Sequence, residues 1–131
     1  MSPKAKIKEE GKKILILEDE SHYSNVIKLK LSIEGYQVVA AENFEQFFVE
    51  LKKLKPNLII LDLILNETTG FDVLEKIRKT AGLKKTKVII YSSLIQEEDR
   101  QKAAKLGVED YLIKSEITLQ ELVEVIKKYL D

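Results

Sequence analysis

Five short runs of consecutive apolar residues, each followed by a segment with helical spacing, leave this chain few folds to choose from. The runs are Lys13–Leu17, Gln37–Ala40, Asn57–Leu61, Lys87–Tyr91 and Asp110–Ile113, all rich in Ile, Val and Leu. Apolar residues at successive rather than alternate positions fit strands buried on both faces, as in a parallel sheet. The intervening segments carry a different period. Tyr23, Ile27 and Leu31 recur every fourth residue, with Gly35 as a stop. Phe44, Phe47, Phe48, Leu51 and Leu54 form a second stripe, opened by Asn43 and Gln46 as a capping box. Phe71, Leu74 and Ile77 make a third. A charged fourth helix is predicted near Gln96–Leu106, with Ala103 and Leu106 facing inward and Gly107 ending it. Thr118 and Glu121 form another capping box, ahead of Leu119, Leu122, Val123, Ile126 and Leu130.

Five strand–helix units make a (βα)5 chain. Right-handed crossovers then put helices on both faces of one open sheet, and five units are too few to close an eight-stranded barrel. The expected architecture is α/β, flavodoxin-like and doubly wound, with five parallel strands in the order 2-1-3-4-5. A length of 131 residues suits one domain. Residues 1–12 lack an apolar period and read as a flexible basic tail, leaving 13–131 as the folded unit.

Composition removes whole classes of chemistry. With no Cys the chain has no disulfide, iron–sulfur cluster, thiolate zinc site or Cys nucleophile, and one His rules out multi-histidine metal sites. The longest apolar runs, such as Leu58–Leu61, are far too short to span a bilayer, and the lysine-rich start lacks the apolar stretch of a signal peptide. A cytoplasmic location is expected. The 22 basic and 22 acidic residues lack the basic excess of a general nucleic-acid binder. That balance is a cancellation. Residues 1–13 carry five Lys and two Glu, and the remainder carries 17 basic and 20 acidic residues.

In open parallel sheets, ligands sit beyond the carboxyl ends of the strands. Glu18, Asp19 and Glu20 follow the first run, Asp62 the third, Ser92 and Ser93 the fourth, and Lys114 ends the fifth. Singly, the acids and serines read as helix caps and the lysine as a solvated edge residue. Asp62 differs, because it interrupts the apolar run LIILDLIL, where an unpaired carboxylate is costly. It needs a charged partner, a metal or a raised pKa. Clustered carboxylates without His or Cys suit a hard cation such as Mg2+. A carboxylate can also attack phosphorus, with a cation, an ammonium and a hydroxyl neutralising the equatorial oxygens.

At this point the chain resembles a response-regulator receiver domain of two-component signalling, of the single-domain, chemotaxis-regulator-like kind. The carrying segments are ILILEDE (14–20), PNLIILDLIL with TG (56–70), VIIYSS (88–93) and GVEDYLIKS (107–115), spread over about residues 13–130. The intervals of 43 residues from Asp19 to Asp62, 30 to Ser92 and 22 to Lys114 suit the family. The resemblance implies that Asp62 accepts a phosphoryl group from a sensor histidine kinase or phosphotransfer protein. It implies Mg2+ held by Asp19, Asp62 and the Ile64 carbonyl, with Glu18 acting through water. Ser92 and Lys114 would contact phosphoryl oxygens, and Tyr111 would be the switch aromatic that moves inward as Ser92 engages. The signalling face would be the fourth helix, fifth strand and fifth helix, meeting a downstream protein or a second copy, with no direct nucleic-acid or membrane contact.

Departures from the family pattern are Glu18 where Asp is also frequent, Asn66 in the loop after Asp62, and Ser115 where Pro usually follows the lysine. The last leaves the Lys114–Ser115 bond free to be trans, since a cis bond without Pro costs about 2.5–4 kcal/mol. Ile64 and Leu94, both apolar, stand where the family tunes the hydrolytic water, so autodephosphorylation is expected to be slow. His22 reads as a solvated helix residue. The chain is thus expected to be no conventional enzyme, catalysing only its own phosphorylation and dephosphorylation. Its starting Met and complete last helix favour a stand-alone regulator over a fragment of a larger one. The rivals are a receiver-like interaction module that is never phosphorylated, a flavin binder and a small phosphatase. An acidic loop after the first strand repels a flavin phosphate, and the chain lacks room for a phosphatase cap.

Overall fold

The computed structural model describes residues 11–131, so most of the expected tail lies outside the described residues. Lys12 already joins the fold, its carbonyl accepting from the Gln37 amide at 3.0 Å. The elements alternate as β1 (Lys13–Leu17), α1 (Ser21–Ile33), β2 (Gln37–Ala41), α2 (Phe44–Leu54), β3 (Leu58–Leu61), α3 (Gly70–Lys79), β4 (Lys87–Ser92), α4 (Glu97–Lys105), β5 (Asp110–Ile113) and α5 (Leu119–Leu130). All four strand pairings are parallel, in the order β2-β1-β3-β4-β5. This is the expected flavodoxin-like arrangement.

Successive strand residues point to opposite faces, and both faces are covered. Leu15, Leu17, Ile59, Leu61, Val88 and Ile90 pack against Phe47, Leu51, Leu74 and Ile77 of α2 and α3 and Ala103 of α4. Ile14, Ile16, Leu58, Ile60, Ile89 and Tyr91 pack against Ile27 and Leu31 of α1 and Leu122, Val123 and Ile126 of α5. No helix among the described residues is long and apolar enough to cross a membrane.

The helix caps follow sequence with one shift. Thr118 and Glu121 close a full capping box at 2.8 and 3.0 Å. Asn43 accepts from the Gln46 amide at 2.8 Å, but the Gln46 side chain accepts from the amide of Glu42, one residue before the cap. The box is therefore half formed and extended by one residue. Glu20 and Gln96 stand at the N-caps of α1 and α4 without a side-chain capping bond. The acids after β1 and the serines after β4 are thus not spent on capping. Arg78 clamps the other end of the sheet, donating to the carbonyls of Leu106 (2.7 Å), Lys84 (3.1 Å), Thr86 (2.7 Å) and Gly107 (3.0 Å).

Gly70, the first residue of α3, presses on the chain that carries Asp62. A Cβ there would stand 2.3 Å from the Asp62 carbonyl oxygen and 2.7 Å from the Leu63 Cα. Backbone cannot yield as a side chain can. Gly70→Ala is therefore expected to cost about 1–3 kcal/mol, as overpacking does. Urea unfolding at neutral pH checks this, and an unchanged midpoint would refute the close approach.

Candidate functional site

Asp62 follows β3 directly, and its amide continues the ladder by donating to the Leu17 carbonyl at 3.1 Å. The side chain is 5% exposed, as its place in an apolar run demands. One carboxylate oxygen accepts from the Ile64 amide at 3.1 Å, and the other from the Lys114 ammonium at 3.0 Å. Lys114 also lies 2.6 Å from a Glu18 oxygen. Its amide donates to the Ser92 carbonyl at 2.9 Å, extending the β4–β5 pairing and fixing where the side chain starts. The described residues contain no cis peptide bond, so the Lys114–Ser115 bond is trans.

Two rings complete the surroundings of this ammonium. Tyr23 lies 4.2 Å and Tyr91 5.8 Å from it, ring centroid to nitrogen. The fourfold spacing places Tyr23 in a core stripe with Ile27 and Leu31. Those two are buried, but Tyr23 is half-buried and turned toward the strand ends. Its place one turn after the acidic triplet was the available signal. His22 is exposed and stacks on Tyr23 at 4.9 Å.

The acids after β1 separate. Glu18 is buried and also accepts from the Glu20 amide at 3.2 Å. Asp19 faces the β3–α3 loop, accepting from the Asn66 amide at 2.6 Å beside a cleft of about 150 Å3. Glu20 and Ser93 are exposed and belong to no cluster. Ser92 is fully buried, and its hydroxyl oxygen lies 3.4 Å from the Leu94 amide. The Tyr111 hydroxyl donates to the Leu94 carbonyl at 3.0 Å, while Arg100 of α4 covers the Tyr111 ring at 5.2 Å. Tyr111 is half-buried and held against the β4–α4 loop. Leu94 and Asn66 act here through backbone groups, which leave no mark in a side-chain pattern.

The cluster is short of positive charge. Burial pushes the Glu18 carboxyl up to about 7; the Lys114 hydrogen bond opposes this, and the nearby Asp62 charge adds to it. Burial works against the Lys114 ammonium, but the Glu18 bond and the Asp62 charge outweigh it and hold its pKa above the ordinary lysine value. Burial, then the Asp99 charge, pushes the Tyr111 hydroxyl up to about 12. Two buried carboxylates sharing one ammonium, with Asp19 beside them in sequence at the neighbouring loop, suit a dication, and every available donor is an oxygen. Among the described residues no three such side chains close a cage. Mg2+ needs none, since one or two carboxylates and water usually hold it. The donor set fits Mg2+.

The family model of the response regulator receiver domain matches residues 14–127. The probable transcriptional regulator ycf27 of Porphyridium aerugineum is 32% identical over 102 residues, covering 78% of this chain and 41% of that protein. The phosphate regulon transcriptional regulatory protein PhoB of Pseudomonas aeruginosa is 29% identical over 120 residues, covering 92% and 52%. The chain thus spans about half or less of the length of these curated relatives. Among solved structures, the response regulator TrrA of Thermotoga maritima, in complex with Mg2+ and BeF, is 29% identical with a TM-score of 0.76. It covers 91% of this chain and 99% of that one. A CheY-like receiver domain protein of Methanospirillum hungatei reaches a TM-score of 0.84 at 27% identity, covering 93% and 95%. With the fold, the strand-end cluster and the family match in agreement, the chain belongs to the response regulator receiver domain family.

Proposed function

We propose that residues 13–131 form a phosphoryl-accepting receiver in which Asp62 takes a phosphoryl group from the phosphohistidine of a sensor kinase or phosphotransfer protein. The observation that carries this reading is the buried Asp62 carboxylate paired with Lys114 at the carboxyl end of a parallel sheet. A carboxylate oxygen attacks phosphorus, the phosphorus–nitrogen bond breaks, and the imidazole leaves with the bonding pair and takes up a proton. Lys114 lies close enough to follow the developing charge, and Ser92, fully buried at the next strand end, offers a hydroxyl to a phosphoryl oxygen. Asp19, Asp62 and the Ile64 carbonyl would hold Mg2+, with Glu18 reaching it through water; when bound, the ion neutralises phosphoryl oxygens. The readout runs through Tyr111 to the face formed by α4, β5 and α5, where a downstream protein or a second copy docks. Energetically it is a shift between two populations, limited by how differently the phosphoryl group binds each.

Incubated with Mg2+ and acetyl phosphate, the protein should gain one phosphoryl group by intact mass, and Asp62→Asn should gain none. Lys114→Met should slow the modification on the order of a hundredfold, the scale for losing one charge-stabilising donor. An undiminished adduct on Asp62→Asn sinks the assignment.

Loss of the phosphoryl group should be slow, over minutes or longer, because Ile64 and Leu94 offer no polar group to position water. Ile64→Asn should shorten the lifetime. A wild-type half-life of seconds contradicts this.

The charge deficit sets a pH dependence. Glu18 binds its proton more tightly when folded (about 7) than its ordinary value of 4.5. Without Mg2+, its contribution to stability is therefore full below pH 4.5 and is lost as pH rises through about 7. Thermal unfolding should show that decline, and Glu18→Gln should flatten it. Mg2+, which favours the ionised cluster, should raise Tm more at pH 7 than at pH 5. Parallel pH profiles for wild type and Glu18→Gln would remove Glu18 as the cause.

A further inference from the structure

The end of the sheet remote from Asp62 carries a charge pattern that the receiver reading does not use. Residues 52–57 and 76–87, which lead into β3 and β4, hold nine basic residues and no acidic one. The rest of 14–131 holds eight basic and 20 acidic residues. Arg78 and Lys87 have internal partners, since the Lys87 ammonium donates to the Tyr129 carbonyl at 3.0 Å. Lys52, Lys53, Lys76 and Lys79 lie in the last turns of α2 and α3, where the helix dipole favours cations. Lys55, Lys84 and Lys85 lie outside those turns, and the dipole does not require them. Among the described residues no carboxylate lies within ion-pair distance of Lys52, Lys55 or Lys76.

Between these segments lies a cleft of about 700 Å3. Phe48, Leu51 and Leu83 line it with apolar surface, and Lys52, Lys55 and Lys76 line it with charge. Lys55 holds the left-handed conformation, φ 51° and ψ 65°, which glycine adopts without strain. Gly82, on the opposite lip, has no atom within 4 Å of where a Cβ would stand. A lysine thus stands at a strained position on the rim of an open, apolar-lined cleft.

We propose that this cleft between α2 and the α3–β4 turn docks an acidic segment of a partner protein, with an apolar side chain entering between the lysines. Charge complementarity names the acids, and the recessed apolar lining names the anchor. A lipid surface fits less well, because membrane binding needs apolar side chains that protrude. A nucleic acid fits less well too, because the Lys76 ammonium lies 4.4 Å over the Phe48 ring and occupies the face a base would stack on.

The test titrates the full chain into a fluorescently labelled peptide of Glu and Asp around a central Leu-Phe pair. A saturable isotherm that weakens with salt is expected. The double substitution Lys52→Glu with Lys55→Glu should raise Kd on the order of tenfold, and so should Ser-Ser in place of Leu-Phe in the peptide. Lys55→Gly relieves the left-handed strain, so it should keep or raise Tm while still weakening binding. That separates lost recognition from lost fold. Amide shifts should centre on Phe48, Gly82 and Leu83, and acetyl phosphate should still modify Asp62 in every variant. Binding that ignores the Leu-Phe pair, survives the double substitution or maps elsewhere overturns the proposal. Capture of phosphatidylglycerol vesicles or a short DNA duplex in place of the peptide overturns it equally.

Discussion

Lys114 leaves the edge strand β5 and carries its ammonium past the end of β4 to lie 3.0 Å from Asp62 after β3 and 2.6 Å from Glu18 after β1. One cation thereby ties together the carboxyl ends of strands spread across most of the sheet. Both carboxylates are buried, so neither can fall back on water. Taking away a single partner of such a group leaves an uncompensated charge, which is the costly way to break it. The Tyr23 ring closes over the same ammonium from α1. The loops that would receive a phosphoryl group are therefore held by electrostatics, beyond the point where the apolar packing of the strands stops.

The same topology accounts for the contrast between the two ends. Each helix runs back against its strand, so helix amino ends gather with the strand carboxyl ends. That end presents partial positive charge, a suitable setting for an anion once a cation has offset the carboxylates. The helix carboxyl ends gather at the opposite end and favour lysine there. A near-neutral chain becomes a domain with an acidic end and a basic end. The basic residues beyond the helical turns are the part that this logic leaves over.

Much of this was legible from sequence, because a strand buried on both faces must be apolar at every position. Asp62 stood out for the same reason, as the one charge inside LIILDLIL. Lys114 could be placed only once the strand order was assumed. The Gln46 side chain reached Glu42 rather than Asn43, since spacing names a capping pair but not which amide it serves. Tyr23 reads as core in the sequence because helical period reports a face, and this face ends where the site begins. The bonds from Asn66 and Leu94 run through backbone groups that every residue shares. The basic cleft was invisible for another reason: its walls are segments far apart in the chain, brought together by the parallel crossover.

On the proposed reading, the route from Asp62 to the α4–β5 face is short and has a weak link. The Leu94 amide donates to the Ser92 hydroxyl oxygen at 3.4 Å, a long bond, while the hydroxyl can still donate its own hydrogen to a phosphoryl oxygen. Leu94 in turn accepts from Tyr111 at 3.0 Å, and Arg100 of α4 lies over the other side of that ring. Moving the loop at Leu94 therefore changes what Tyr111 and α4 present to a partner. Tyr111 is tied to that loop through the Leu94 carbonyl, so whatever moves the loop moves the ring. What the phosphoryl group must change is the stability of the loop that holds Tyr111. The size of the response is bounded by how differently the phosphoryl group is held in the two loop positions, and a charge-assisted bond from Ser92 contributes on the order of 1.5–3 kcal/mol to that difference, or roughly ten- to 150-fold in population.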